Sequence, residues 1–285
     1  MHAHLQGYAA AVLSEESAES LGATSDDLTR LELTVLGHAG LRAVLADTSL
    51  PGAARGLILG DLLGDKVGAD ARRLAVYAAS RAPAQEVTHN IAELAQVARV
   101  FRDTGEVAVE TQTHLNARAR VDGFCDALLE SLATSEFATV EDELFRWART
   151  VEASRELRGL LLDRDAPLGA RLGATRTLLE GRVHPATLRL ALYVVEGGRA
   201  RDLVGTLDHL IDFIARARDW RVARVHTARA LGPDASSDLA ASLVELHVNV
   251  EADLLGGVLV EVGDLRLDAT TRGRLSSLRD EVAAG

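Results

Sequence analysis

Gly40-Leu41-Arg42-Ala43-Val44-Leu45-Ala46-Asp47 returns 116 residues later as Glu156-Leu157-Arg158-Gly159-Leu160-Leu161-Leu162-Asp163. The register then holds without a gap. Pro51 meets Pro167, Ala54-Arg55 meets Ala170-Arg171, and Leu62-Leu63 meets Leu178-Leu179. Further on, Val67 meets Val183, Arg73-Leu74-Ala75 meets Arg189-Leu190-Ala191, and Tyr77 meets Tyr193. Upstream, Gly7-Tyr8 lies over Gly123-Phe124 and Thr34-Val35 over Thr150-Val151; at the far end Val109 and Thr111 lie over Val225 and Thr227. A register kept this long predicts a tandem duplication of a domain, and its period is too long for a solenoid unit.

Each copy carries the 3.6-residue period of amphipathic helices. Leu5, Tyr8, Ala9, Val12 and Leu13 make one stripe, and Val121, Phe124, Cys125, Leu128 and Leu129 its counterpart. Ser25-Asp26-Asp27 ahead of Leu28, Leu31, Val35 and Leu36 reads as a capped second helix. Pro51 and Pro167 each follow a Leu-rich stretch ending in Asp, where proline can open the next helix. Residues 84–102 form a longer stripe of Val87, Ile91, Leu94, Ala95 and Ala98, matched by Leu203, Leu207, Leu210, Ile211 and Ile214. That makes five or six helices per copy. An apolar content of 47% with only 4% aromatic residues points to a core of Leu, Ala and Val, which favours helix for most of the length.

The last sixty residues change period. Val244, Leu246, Val248 and Val250 alternate, as do Val258, Val260 and Val262, with Gly256-Gly257 between the two runs as a sharp turn. Leu265-Arg266-Leu267-Asp268 is a third extended stretch, and the segment Thr271 to Leu278 closes with a helical pattern. The fold expected is therefore mainly α. Two tandem six-helix-type bundles, residues 1–116 and 117–225, precede a small α+β domain with a β-hairpin over 226–285.

Chemistry is hard to find. The net charge of −11 with no basic block argues against nucleic acid as a partner. Gly56-Leu57-Ile58-Leu59-Gly60-Asp61-Leu62-Leu63-Gly64-Asp65-Lys66 tempts a phosphate-loop reading, but Val67 stands where that loop needs Ser or Thr, and Asp65 precedes the lysine. The nine histidines lack ligand spacing, and Ser236-Ser237-Asp238 and Ser276-Ser277 read as helix caps or surface and not as nucleophiles with a base. Cys125, the only cysteine, lies next to Phe124 on an apolar face and reads as a small core residue. The expectation is no catalytic, cofactor or metal site. No apolar run reaches the twenty or so residues that cross a bilayer, and Met1-His2-Ala3-His4-Leu5 lacks the features of a signal peptide. A soluble, cytoplasmic chain is expected, brought to a membrane only by another protein.

The wording of the C-terminal stretch is more specific than its period. Glu251, Leu254, Leu255, Gly256, Gly257, Val258, Val260, Gly263, Asp268, Arg274, Leu275 and Leu278 resemble the signature of the delta subunit of F-type ATP synthases, the counterpart of the oligomycin-sensitivity-conferring protein. Glu251 takes a place where the family usually has Asp, and Gly232 to Leu243 is shorter than the helix the family has there. Val222 to Leu231 looks like the family's lead-in, and Tyr8-Ala9-Ala10-Ala11-Val12 is similar to its first helix. Most members have one six-helix bundle; two resemble the enlarged actinobacterial type.

The resemblance implies a non-catalytic peripheral-stalk, or stator, subunit at the cytoplasmic face of the cell membrane. Its partners would be the N-terminal helices of the alpha subunits and the membrane-anchored b subunit. In the family a partner helix lies in a groove between the first helix and a long penultimate one. By that analogy the partner-binding candidates are Tyr8, Val12, Val87 and Ile91 in the first copy, with Phe124, Leu128, Leu203 and Leu207 in the second. Gly256, Gly257, Gly263, Asp268 and Arg274 mark the C-terminal signature. The alternative is a free-standing helical adaptor of the same fold.

Overall fold

The computed structural model describes residues 1–105, 114–163, 165–197, 202–227, 245–250, 258–262 and 265–268, from 219 onward through the backbone alone. The described residues are mainly helical. The first six helices are α1 (Ala3–Leu13), α2 (Ala18–Gly37), α3 (Ala39–Leu45), α4 (Gly52–Leu63), α5 (Ala69–Arg81) and α6 (Val87–Thr104), the last entered through a 3-10 turn at Ala84–Glu86. Six more follow: α7 (His114–Ser131), α8 (Thr134–Ala153), α9 (Arg155–Leu162), α10 (Leu168–Leu179), α11 (Pro185–Gly197) and α12 (Leu203–Arg221). Shifted by the same 116 residues, α2, α4 and α5 take the bounds of α8, α10 and α11 at both ends.

Local chemistry explains these boundaries. Ser17 caps α2 by accepting from the Ser20 amide, so the helix starts a full two turns before the Ser25-Asp26-Asp27 cluster that the sequence suggested as its cap. Asp27 instead lies buried in the middle of α2, where its carboxylate accepts from the Gly68 amide at 2.6 Å and so caps α5, far away in sequence. Pro51 and Pro167 stand at the N-cap positions of α4 and α10, one residue before the first helical position where proline is most favoured. Ser154 caps α9 through the Leu157 amide.

The chain divides into two compact units, 1–131 with 144–210, and 132–143 with 211–285. In the first, α2 packs on α6 and α4 on α5. Leu28, Leu31, Val35, Leu59, Leu74, Ile91 and Leu94 form the buried core, each such side chain contributing about 1.5–3 kcal/mol of transfer free energy. Arg55 is buried too. It donates to the Leu50, Ala79 and Ala82 carbonyls, satisfying the C-terminal end of α5 with a charge of the favourable sign. Further along the chain, α10 packs on α11 and α11 on α7.

The second unit holds a four-stranded sheet: β1 (Val222–Thr227), β2 (Glu245–Val250), β3 (Val258–Val262) and β4 (Leu265–Asp268), in the order β2-β1-β3-β4. β1 runs parallel to β2, with Val225 opposite Val248, and antiparallel to β3, with Val225 opposite Val260. β3 pairs antiparallel with β4, Val260 opposite Leu267. Two expectations change. The lead-in segment is itself the inner strand β1, so a division between residues 225 and 226 falls inside it. The runs ending at Val250 and starting at Val258 are not paired with each other, because β1 lies between them. Gly256, Gly257, Gly263, Arg274, the shortened segment Gly232–Leu243 and the expected terminal helix lie outside the described residues, whereas Asp268 ends β4.

Candidate partner-binding face

Helices α1 and α7 cross at their glycines. A Cβ on Gly7 would stand 1.7 Å from the Arg120 carbonyl oxygen, and one on Gly123 would stand 1.8 Å from that of His4. Only hydrogen fits at either position. The two contacts are the same contact, because His4 and Gly7 become Arg120 and Gly123 under the 116-residue shift. The same relation runs along the whole crossing. Tyr8 stacks on Tyr77 at 3.7 Å and Phe124 on Tyr193 at 3.8 Å, both at an interplanar angle of 12°. Arg73 donates to the Ala127 carbonyl at 3.3 Å, and Arg189 to the Ala11 carbonyl at 3.0 Å. Helices α1 and α7 thus cross each other, α1 packed on α5 and α7 on α11, while Arg73 of α5 and Arg189 of α11 reach across to α7 and α1.

The polar groups along this crossing are unequal. α7 carries Asp122, Asp126 and Glu130, four residues apart and so on one face. Glu130 accepts from Tyr8 at 2.6 Å and from Arg73 at 3.3 Å. Asp126 accepts from Tyr77 at 2.8 Å and from Arg81 at 3.0 Å, and His4 stacks against the Tyr77 ring. Asp122 meets His209 at 2.7 Å. On α1 the equivalent positions are Gln6, Ala10 and Ser14.

Burial sets the electrostatics. It pushes the Tyr8 and Tyr77 phenols well above their ordinary range, with Glu130 and Asp126 adding to the effect, and it pushes Tyr193 up to about 12. It raises Asp122, against the opposing pull of His209 and His4. It lowers His4, against Asp126 and Asp122. Burial of Cys125, a residue of α7, holds its thiol well above the usual pKa, which keeps the reactive thiolate scarce. These shifts belong to a packed interface whose carboxylates are paired, and they create no nucleophile beside a base. Among the described residues no group of three metal-ligating side chains comes together.

All eight partner-binding candidates are buried, none more than 5% exposed. The structure brings Tyr8 and Phe124 to the α1–α7 crossing. Val87, Ile91, Leu203 and Leu207 lie on the inward faces of α6 and α12. The stripe beginning at Val87 proves to be the sixth helix of its copy, and the penultimate one is α5, which supplies Arg73 and Tyr77. Sequence reasoning passed over Arg73, Tyr77, Asp122, Asp126 and Glu130. The available signal was the run of acids at four-residue spacing on an otherwise apolar helix.

Comparison with known proteins places the chain. The sequence profile described as ATP synthase delta (OSCP) subunit matches residues 124–282. A protein of Nocardia farcinica named ATP synthase subunit delta is 33% identical, over 93% of this chain and 92% of its own length. Proteins of the same name from Salinispora arenicola and Kineococcus radiotolerans are each 31% identical, over 93% and 95% of this chain and 89% and 91% of theirs. With a profile matching more than half of its residues and relatives aligned along nearly its whole length, the chain belongs to the ATP synthase delta (OSCP) subunit family.

Proposed function

We propose that this chain is the peripheral-stalk (stator) subunit of a proton-translocating F-type ATP synthase. It joins the N-terminal helices of the alpha subunits to the membrane-anchored b subunit, at the cytoplasmic face of the cell membrane. The observation that carries this reading is the alignment with delta subunits over 93% of the chain. The task is mechanical: a rotating shaft exerts torque on the catalytic head, and the stalk must hold that head still. Packed helices with apolar grooves suit it, since a partner's amphipathic helix can lie in such a groove and be held by burial alone. Among the described residues no helix is long and apolar enough to cross a membrane, so attachment would run through the b subunit.

Two tandem copies of one bundle fit this assignment. The 116-residue offset recurs in helix bounds and in the contacts at the α1–α7 crossing. The family profile covers one copy and the C-terminal part, while the delta subunits align across both copies. The eight candidate residues then serve as the walls that shape each bundle, and alpha helices dock on outer faces. The small α+β domain with its β-hairpin begins at β1 and holds the b subunit.

A chain ending at Arg221 keeps the twelve described helices and lacks the four described strands. It should still bind a synthetic alpha N-terminal peptide and lose the b subunit in pull-down. Retention of the b subunit by the shortened chain would move the membrane-side anchor into the helices and overturn this division.

A further inference from the structure

The first unit has an open groove where the C-terminal ends of α2 and α4 meet the start of α3, of about 610 Å³. Leu31, Leu41, Leu62, Leu63 and Val67 supply apolar walls, and Leu62 is left 44% exposed. At the rim stand Arg30, His38 and Lys66; no aspartate or glutamate lines the groove. In a chain of net charge −11 that is a local reversal of sign. Arg30 is shared with Asp27, but Lys66, the only lysine of the chain, donates to the Leu62 carbonyl at 2.9 Å and not to a carboxylate.

The groove is open because its floor is small. Gly37-His38-Ala39-Gly40 carries little side-chain bulk, and a Cβ on Gly37 or Gly40 would meet nothing within 4 Å. At the equivalent place the second copy keeps the leucines, Leu157 and Leu178, but replaces the floor with Ala153-Ser154-Arg155-Glu156. It adds an arginine as well as a carboxylate, and keeps cations at the other rim positions, Arg146 for Arg30 and Arg182 for Lys66. The two segments therefore differ in side-chain bulk and share a cationic rim, with a carboxylate set into it only at Glu156.

We propose that the α2–α3–α4 groove of the first copy is a docking site for an acidic amphipathic helix of a partner. The partner's apolar stripe would enter between Leu41 and Leu62, and its carboxylates would face Arg30 and Lys66. Opposite charges across the rim favour encounter and fix orientation, and the attraction weakens with salt. The proposal deepens the stalk reading, which needs surfaces that hold helices. Its test uses the purified chain alone, so its failure leaves that reading standing.

The probe is a pair of eighteen-residue amphipathic peptides with one leucine stripe, the polar face glutamate in one and lysine in the other. Fluorescence anisotropy with the full chain should show saturable binding of the glutamate peptide, at least tenfold tighter than the lysine peptide and weakened by salt. A carbodiimide should join Lys66 to the bound peptide's carboxylates, and Lys66→Arg should abolish that cross-link. Gly40→Glu, which copies the second copy's Glu156, should weaken binding at least tenfold. Because its Cβ points into open space and glutamate is a better helix former than glycine, the melting temperature should not fall. Equal binding of both peptides, no binding of either, or full affinity in Gly40→Glu would overturn the proposal. So would a Lys66 cross-link formed only within the chain or between two copies of it.

Discussion

Helices α1 and α7, related by the 116-residue shift, make matching contacts at their crossing and do different chemistry. α1 and α7 share what backbone approach requires, a glycine at the crossing, an aromatic residue beside it, and a helix carbonyl reached by the other copy's arginine. They do not share charge. Asp122, Asp126 and Glu130 are all on α7, where α1 has Gln6, Ala10 and Ser14. Their partners Tyr8, Arg73, Tyr77 and Arg81 come from the first copy, and His209 from the second. Shape at this interface is symmetric, whereas the acids within the two helices are one-sided; on the α1 side Glu15, just past the helix, pairs with Arg189 as Glu130 pairs with Arg73. A one-sided arrangement specifies that copy one meets copy two, since a pairing of two α7-type helices would set carboxylates against each other without their partners.

The largest effect should come from breaking the symmetric part. Gly7→Leu and Gly123→Leu each drive a side chain into a backbone carbonyl that cannot rotate away. The gain in helix propensity is about 1 kcal/mol, and the overpacking costs more. We expect each variant to lose about 3 kcal/mol in urea unfolding, with the two losses alike. Unchanged urea midpoints would show that the crossing is not as close as described.

A smaller effect should come from the one-sided part. His4 faces Asp122, Asp126, Arg81 and Tyr77, and burial holds its pKa below the usual 6.5. The folded state therefore disfavours the proton that the unfolded chain accepts. The stability tied to neutral His4 is fully present above 6.5 and is lost as pH falls through 6.5 toward the lower folded value. Asp122, whose pKa is raised, acts in the opposite sense at lower pH, so the comparison must be with His4→Gln at each pH. The difference in urea midpoint between wild type and His4→Gln should be flat above about pH 7.5 and shift against the wild type as pH falls from about 6.5 to 5. The equivalent residue in the second copy, Arg120, does not titrate in that window, so His184→Gln, away from the crossing, serves as the control. A difference that stays flat across the whole range would remove His4 from the account.

Much of the helical architecture was legible because two copies report on each other: a stripe such as Leu5-Tyr8-Val12 repeated at Val121-Phe124-Leu128 is hard to mistake. What escaped was decided by residues distant in sequence. Asp27 looked like a cap for its own helix, and its partner is Gly68, reached only once α2 and α5 are packed. The groove candidates were apolar and on helical stripes, which is equally the signature of core, and folding put them inside. Val222 to Thr227 alternates weakly, with Ala223 and Arg224 interrupting the valines, so the inner strand of the sheet was invisible without its neighbours β2 and β3. The acids of α7 have no partner nearby in sequence; Tyr8, Arg73 and Tyr77 reach them only once the helices are packed.

The most direct test of the stalk assignment is to isolate the detergent-solubilised ATP synthase from the membranes of cells carrying a tagged form of this full chain. The chain should purify in constant stoichiometry with the alpha and b subunits through gel filtration. Recovery of an intact synthase that lacks the chain, with the tagged protein running free, would contradict it.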